Sequence, residues 1–387
     1  MRFTRPAAIA RILPVLWLCS LQAGCSDSSD PTCVPVSAGP AATIEAISLT
    51  LEQVQRANAL GAVLFVAERD GVPILRTALG ESTPGVPATT DMHFRIGGVG
   101  WQFLTTVLLR MIEEEPERLA LTDLASRWYP AYPHADRATV RMLAASSAGF
   151  GDYITPESFV ADVGADPLRT WTADDLIERS IAPYQEPQFD DPGRDWEYSH
   201  TDFVMLGAIL EKVSGRPYAA LLQESILEPL GLRDTRLQLD ASPQEPVLHT
   251  RAEESFDDST YWNPSFVSWA ALTSNLCDLG TWVRAFGTGA LLSPESHREV
   301  TAPVNVGLGG NTDRRYFGLG TLVYSPWIVQ QAAYWGMYTT TAYDPTTGIS
   351  LAATVSLSPD SPPKISPADE IVFSVSRLLT PDHPISD

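Results

Sequence analysis

The sequence predicts an α/β protein whose sheet is built from both ends of the chain, with a helical insertion between them. Near the N-terminal end, strand-like stretches at 61–67 and 72–79 flank the turn signal Glu-Arg-Asp-Gly. Three further strand-like stretches lie near the C-terminal end. Helical patterns and loops dominate between them, from about residue 113 to residue 261. This order implies one sheet that combines strands from the two ends.

The individual elements follow from apolar spacing and from capping residues. Apolar side chains at helical spacing predict a first helix at 44–60, and the glycine-punctuated turn FRIGGVG precedes an apolar helix at 101–112. Thr-Ala-Asp-Asp at 172–175 is typical of a helix start, and Gly215 ends a helix that begins at residue 201. The remaining expected elements are a helix from Ser274, strands at 317–324, 332–343 and 349–357, and a last helix at 368–379.

The composition is that of a folded and strongly acidic protein. Of its 387 residues, 44% are apolar and 19% are charged, which excludes a disordered chain, a coiled coil and a collagen-like repeat. The 47 acidic residues outnumber the 26 basic ones, and the formal net charge is −21. Such a surface repels phosphate backbones and anionic lipid headgroups. Nucleic acid is therefore not an expected partner.

Residues 1–24 have the pattern of a secretory signal. Three arginines flank or precede an apolar stretch at 12–24, which is too short to span a bilayer comfortably. The stretch ends in Leu-Gln-Ala-Gly-Cys before a polar run, and this resembles a bacterial lipoprotein signal. The resemblance implies lipidation of Cys25, a flexible tether at 25–43 and a location in the cell envelope, on the outer membrane of a Gram-negative cell because Ser26 follows. The alternative is an ordinary signal peptide and a secreted or periplasmic protein.

Two cysteines remain beyond this region, Cys33 and Cys277. An even pair in an oxidising compartment can form a disulfide, which would tie the tether to the body of the protein. The alternative is a lone buried thiol at Cys277, near the start of a helix.

Six segments, in order along the chain, carry a family resemblance. They are GAVLFVAERDGVPILRTALGES, MHFRIGGVGWQFLTTVLL, TVRMLAASSAGFGDY, DWEYSHTDFVMLGAILEKVSGRPYAALLQESILEPLGLRDTRL, WAALTSNLCDLGTWV and YFGLGTLV. Together they resemble the serine β-lactamase and penicillin-binding protein superfamily, in its branch of class C enzymes, DD-carboxypeptidases and family VIII esterases. The resemblance implies a mainly antiparallel sheet flanked by helices, with an inserted all-helical domain and a cleft between the two. The implied domain is 44–380, with a sheet subdomain at about 44–112 and 262–380, a helical insertion at about 113–261 and a tail at 381–387.

The nucleophile motif of that family is missing. Active members carry Ser-x-x-Lys at the helix start after Phe-Arg-Ile-Gly, and the lysine takes the serine proton before the serine attacks a carbonyl. In this chain the two positions are Gly98 and Trp101. Glycine offers no nucleophile and indole cannot act as a base. No shifted alignment restores the pair, because the only lysines in the sequence are Lys212 and Lys364. We therefore expect no catalytic residues of the family type.

The other family motifs are altered as well. Tyr-x-Asn reads Tyr-Ser-His at 198–200, and the imidazole is either an acid or base near neutral pH or only a partner for backbone groups. The strand motif Lys-Thr-Gly or His-x-Gly falls near Gln330 and Ala332, and no Lys, Arg or His occurs from 316 to 363. The His-Thr-Ser-Gly turn reads Ser-Ser-Ala-Gly at 146–149. Three altered motifs on one scaffold indicate that selection for the original catalysis has been lost.

What remains of the cleft is still able to bind a ligand. Gly98 keeps the backbone N–H that helps to hold a substrate oxyanion in the family. The candidate cleft residues are Gly98, Trp101, Tyr198, His200, Tyr334, Trp335 and Tyr338. A cleft that is open and a cleft that Trp101 plugs are both compatible with the sequence. Neither a cofactor nor a metal ion is expected.

Three functions are compatible with these motifs. The preferred one is a pseudoenzyme that binds a cell-wall peptide or an envelope protein and is held at the membrane by its N-terminal lipid only. The second is a serine hydrolase, either an esterase or DD-peptidase-like, that uses Ser146, Ser147 or Ser199 with Tyr198 or His200. The third is a structural partner protein of which only the outer surface matters.

Overall fold

Strands from the two chain ends pair in one antiparallel sheet of nine strands. The computed structural model describes residues 33–251, 257–362 and 366–386. Its strands are β1 (Val36–Ser37), β2 (Ala62–Arg69), β3 (Val72–Thr83), β4 (Val86–Pro87), β5 (Phe94–Arg95), β6 (Arg236–Leu237), β7 (Leu272–Ser274), β8 (Arg315–Phe317), β9 (Leu322–Tyr324), β10 (Trp327–Tyr334), β11 (Met337–Asp344) and β12 (Ile349–Ser356). The sheet order is β1-β3-β2-β12-β11-β10-β9-β8, with β4 paired to β3. Because β2 pairs with β12, the predicted α/β fold with its mainly antiparallel sheet is confirmed.

Helices cover both faces of the sheet and fill the segment between its two halves. They are α1 (Ala41–Ala57), α2 (Gly100–Glu114), α3 (Val140–Ala144), α4 (Glu157–Ala165), α5 (Ala173–Arg179), α6 (His200–Ser214), α7 (Tyr218–Leu222), α8 (Glu228–Leu230), α9 (Asp258–Tyr261), α10 (Leu276–Thr288), α11 (Pro294–Val300) and α12 (Pro367–Leu379). Short 3-10 helices occur at Gly97–Val99, Ala125–Arg127 and Pro264–Ala270, and a π-helical turn at Gln223–Leu227. The strands β5, β7 and β6 form a second, small sheet.

Two apolar cores lie on opposite faces of the large sheet. One core holds α1 and α12, with Leu51 and Val372 packed beside Phe65 of β2. The other core holds α2, α6 and α10, with Leu104 and Phe203 among its buried residues. This division follows from the alternation of side chains along each strand, which sends successive residues to opposite faces. The candidate cleft belongs to the second core, because α2 and α6 carry its residues.

Two of the expected strands are in fact hairpins. The stretch 317–324 turns at Gly320, which has a φ of 65°, and it divides between β8 and β9. The stretch 332–343 turns at Trp335 and Gly336, which have φ values of 25° and 78°, and it divides between β10 and β11. Positive φ at both central residues is typical of tight hairpin turns, and a glycine adopts it without steric cost. The β10–β11 turn therefore fixes which residues of β10 face the cleft.

A disulfide joins Cys33 to Cys277 near the start of α10, across 244 residues of sequence. It ties the beginning of the described chain to a helix of the second core. Residues Cys33–Asp387 form one compact unit, and the subdomain boundaries stay predictions. The predicted signal, the lipidation site Cys25 and Lys364 lie outside the described residues. Within the described ranges, no helix combines the length and apolar character needed to cross a bilayer.

Candidate functional site

The start of α2 lies in a tightly packed turn. The 3-10 helix Gly97–Val99 runs directly into α2, and Gly97 has a φ of 47°. A β-carbon at Gly100 would lie 2.8 Å from the Cα of Ala270, so only glycine fits there without movement of the backbone. The turn puts Gly98 and Trp101 three residues apart on one face of the helix start. This is the arrangement that the family resemblance predicts for the nucleophile and the lysine.

Trp101 occupies the lysine position as a fixed part of the core. Its side chain is 1% exposed and stacks on Phe203 of α6, with ring centroids 4.6 Å apart and an interplanar angle of 12°. Its indole Nε1–H donates a hydrogen bond of 2.5 Å to the hydroxyl oxygen of Tyr198. Burial raises the pKa of Tyr198, so this phenol stays protonated near neutral pH. The indole N–H is therefore hydrogen-bonded to the tyrosine oxygen that members of the family use for proton transfer.

His200 is paired with a carboxylate that the sequence motifs did not point to. Its Nδ1 lies 3.0 Å from Oδ2 of Asp152, and its backbone N–H donates to Oδ1 of the same residue at 3.3 Å. Asp152 is buried. It stands between Phe150 and Tyr153 in the sequence, and an acid among buried aromatics signals a paired carboxylate, since unpaired acids are almost never buried. The sequence therefore indicated that Asp152 has a partner, but it did not indicate that the partner is His200.

A second acid lies close behind that pair. Asp202 of α6 is fully buried, and its Oδ2 accepts a hydrogen bond of 3.2 Å from the backbone N–H of Ala148. Burial raises the pKa of Asp202 well above its ordinary value, and the nearby Asp152 raises it further. Burial thus favours the protonated form of Asp202.

Gln330, the predicted equivalent of the strand cation, does not face the cleft. Its side chain is buried, and its Nε2 donates to the carbonyl oxygens of Gly98 at 3.0 Å and Gly320 at 2.8 Å. It therefore holds the turn before α2 in place. Ala332, two residues further along β10, reaches the cleft instead. A methyl group stands where the family's strand cation would be expected.

Three predicted cleft aromatics have three different positions. Tyr334 lines the cleft, its hydroxyl has no partner among the described residues, and burial raises its pKa to about 12. Trp335 packs beside that wall on Phe266, with ring centroids 4.5 Å apart. The placement of Tyr338 was wrong: it pairs with Ala333 and faces α12, around a separate cavity of about 210 Å³. Alternation along β11 sends Tyr338 to the opposite face of the sheet.

An open cavity of about 260 Å³ lies in front of Trp101, slightly below the range of roughly 300–1,000 Å³ typical of ligand pockets. Its walls are formed by Gly97, Gly98, Trp101, Tyr198, His200, Val267, Ala270, Gln331, Ala332, Ala333 and Tyr334. The indole is thus one wall of the cavity and does not close it. A larger cavity of about 420 Å³ lies at the end of the sheet around Gly61 and Leu357, away from every motif position.

In the part of the chain that the structure describes, no lysine or arginine lines the 260 Å³ cavity. The guanidinium of Arg95 lies 4.9 Å from the ring centre of Tyr334, which is itself a wall residue. Its N–H groups donate to the carbonyl oxygens of Asp258 and Trp262. In the described part of the chain, no group of three or more His, Cys, Asp and Glu side chains is arranged to hold a metal ion.

The serines of the hydrolase alternative are all buried. Ser146 has a φ of 54°, donates to the carbonyl oxygen of Glu197 and accepts the backbone N–H of Ser199. Ser147 and Ser199 are also buried, and the cavity is lined by neither. A substrate in the cavity would therefore not meet a serine hydroxyl of this set.

Comparison with known proteins agrees with this fold. The Beta-lactamase family model matches residues 48–373. The chain is 29% identical over 169 residues to a penicillin-binding protein of Bacillus subtilis, covering 44% of this chain and 36% of that protein. It is 28% identical over 222 residues to esterase EstB of Burkholderia gladioli, covering 54% of each. The chain thus spans about half or less of the length of these curated relatives. A crystal structure of a D-stereospecific amidohydrolase from Streptomyces sp. superposes with a TM-score of 0.74 at 25% identity, covering 85% of this chain and 97% of that one.

Proposed function

The chain belongs to the beta-lactamase family, and from that premise we propose that it is an envelope lipoprotein that acts by binding or scaffolding and performs no Ser–Lys acyl transfer. The observation that carries the proposal is the pair Gly98 and Trp101. The first has no hydroxyl, and the second puts a buried indole where an amine would be needed. Without nucleophile and base, the acyl-enzyme of this family cannot form.

The rest of the cavity supports the same proposal. A strand cation normally holds the anionic part of a family substrate, and here Ala332 stands in that region, with no lysine or arginine on the cavity wall among the described residues. The hydrogen bond from Trp101 uses the oxygen of Tyr198 that would otherwise accept a proton. An open cavity nevertheless remains, which favours a ligand-binding role over a purely structural one.

The partner class is a proposal that rests on the relatives. The matched proteins include a penicillin-binding protein of Bacillus subtilis and a putative D-alanyl-D-alanine carboxypeptidase of Escherichia coli. Together with the lipoprotein-like N-terminus, this supports a cell-wall peptide or an envelope protein as partner. The hydrolase alternative is weakened by the burial of its serines, and the structural alternative by the open cavity.

The test of the proposal is covalent labelling. The full chain is incubated with a fluorescent penicillin, a chromogenic cephalosporin and short-chain p-nitrophenyl esters, beside an active penicillin-binding protein as control. We expect no adduct in the intact mass and no hydrolysis above background, because nucleophile, base and strand cation are each worth orders of magnitude in rate. An adduct that maps to a serine and disappears in its alanine variant would refute the proposal.

Lipidation is tested separately. The full-length chain, expressed in a Gram-negative host, is expected in the outer-membrane fraction, and the Cys25→Ser variant in the soluble periplasmic fraction. Equal fractionation of the two proteins would contradict the lipid anchor and favour the secreted alternative.

A further inference from the structure

We infer that the cavity is selective for small uncharged carboxamides over the corresponding carboxylates, and that Asp152 sets this preference through His200. The inference rests on the proposed function, because it names the ligand class of the same cavity. It differs from the carboxylate recognition expected of a strand cation, since no lysine or arginine of the described residues lines this wall.

The acceptor in the cavity is Nε2 of His200. An ionised carboxylate only accepts hydrogen bonds, so the contact of 3.0 Å to Asp152 places the proton of the neutral imidazole on Nδ1. Nε2 then carries a lone pair. Among the described residues Nε2 has no hydrogen-bond partner, and the histidine side chain is 25% exposed on the cavity wall. A ligand that donates an N–H group fits this atom, whereas a carboxylate would bring a second acceptor to it.

Two donors lie on the same wall. Gly98 is at the first turn before α2, and its backbone N–H finds no acceptor within the described ranges. Tyr198 receives the indole N–H on its oxygen and keeps its own hydrogen to donate. A ligand carbonyl oxygen is therefore matched by donors, and a ligand N–H is matched by His200. One carboxamide group presents both.

Charge and shape favour the same class. The carboxylate of Asp152 stands directly behind the imidazole, and the chain as a whole carries a formal charge of −21. An anionic ligand would enter this field without a cation to compensate it, which is costly in a partly desolvated site. Val267, Ala270 and Ala332 supply an apolar wall for the rest of the ligand.

The experiment compares 3-phenylpropanamide with 3-phenylpropanoate, two probes of nearly equal size that differ in charge and in the N–H donor. Binding to the intact chain is measured at pH 8 by calorimetry and by ligand-observed NMR. We expect the amide to bind at least tenfold more tightly than the carboxylate, because one hydrogen bond gained and one buried charge avoided amount to about tenfold or more.

Two variants test the roles of the residues. His200→Phe keeps an aromatic ring and removes the acceptor, so the amide affinity should fall about tenfold. In Asp152→Asn, the side-chain amide can donate to Nδ1, which moves the imidazole proton to Nε2. The amide preference should then shrink or reverse, and the ¹⁵N signals of His200 should report the change of tautomer. His383→Phe is the matched control, since His383 is 28% exposed and paired with Asp344 at 2.8 Å, outside the cavity wall.

The outcomes separate this inference from the proposed function. Equal binding of the two probes, tighter binding of the carboxylate, or no binding of either would overturn the inference while leaving the absence of acylation intact. An unchanged preference in Asp152→Asn with an unchanged tautomer would overturn the role of Asp152. A covalent serine adduct would instead refute the proposed function. Thermal melting shows which variants are folded, and the wild-type probe comparison decides the ligand class even if His200→Phe does not fold.

Discussion

Rebuilding the Ser–Lys pair tests how much of the catalytic site is missing. The double change Gly98→Ser and Trp101→Lys places a hydroxyl and an amine at the two family positions. A β-carbon on Gly98 would lie 3.3 Å from the carbonyl oxygen of Gln331, so the strand must yield by only a few tenths of an ångström. The larger perturbation is the loss of the indole.

The stability cost follows from the packing of Trp101. The residue is almost wholly buried, stacks on Phe203 and donates to Tyr198. Removal of a buried tryptophan side chain typically costs about 3–5 kcal/mol of unfolding free energy, and the lysine stem refills part of the space. With an unfolding entropy of roughly 2.1 cal/mol/K per residue, this loss lowers Tm by about 4–7 °C. The double variant should therefore still fold, and its melting temperature should be lower than that of the parent.

The double variant should acylate slowly and turn over poorly. The rebuilt serine and lysine supply the nucleophile and a base, but His200 stays bound to Asp152 and Ala332 still provides no cation. Proton transfer by positioned groups contributes about 10²–10⁴ in rate, so turnover should remain at least about 100-fold below that of an active relative. Intact-mass spectra over time detect the adduct, and each single variant is the control, since neither has the complete pair. Efficient multiple turnover would refute this reasoning and show that the other motifs are not degraded.

Two further predictions concern stability. Protein that starts after residue 25 should contain no free thiol when it is denatured without reduction, and two free thiols would contradict the disulfide. Replacement of both Cys33 and Cys277 by serine should lower the unfolding free energy by about 2–4 kcal/mol. Because burial raises the pKa of Asp202, its stabilising contribution is complete at pH values below its unfolded pKa and is lost as pH rises toward the folded one. The melting temperature of Asp202→Asn should therefore rise relative to that of the parent as the pH increases above the ordinary pKa of an aspartate, whereas that of the exposed Asp240→Asn should not. A parallel pH dependence of Asp202→Asn and the parent would contradict the buried proton.

The fold was predictable because the patterns that specify it are local. The strands β2 and β3 are bounded by glycines that are visible in the sequence, and the apolar helix α2 begins directly after a glycine-containing turn. The prediction of one strand at 332–343 was wrong because an almost unbroken run of β-favouring residues hides the turn. Gly336 was the available signal, and its neighbour Trp335 adopts a positive φ that a tryptophan rarely takes. The same error misplaced Tyr338, since a strand that reverses also reverses which residues share a face.

The site was predictable only at positions that the family motifs mark. Gly98 and Trp101 line one cavity together with Tyr198 and His200, as the resemblance implied. The pairing of Asp152 with His200 spans 48 residues and depends on how the loop after α3 folds back onto α6, which no periodicity encodes. The contact of Trp101 with Phe203 is equally non-local. Long-range partners of this kind are specified by packing rather than by local pattern.

The substitutions at the cleft depend physically on one another. A β-carbon on Gly98 would lie 3.7 Å from Cδ1 and Nε1 of Trp101, which is ordinary van der Waals contact. The indole N–H, buried in the core, needs an acceptor, and Tyr198 supplies it. A serine at position 98 alone would therefore not restore a base, and a lysine at position 101 alone would leave a cavity and no nucleophile. Neither single change completes the Ser–Lys pair, and loss of the indole lowers stability, so both positions must change together before acylation is expected.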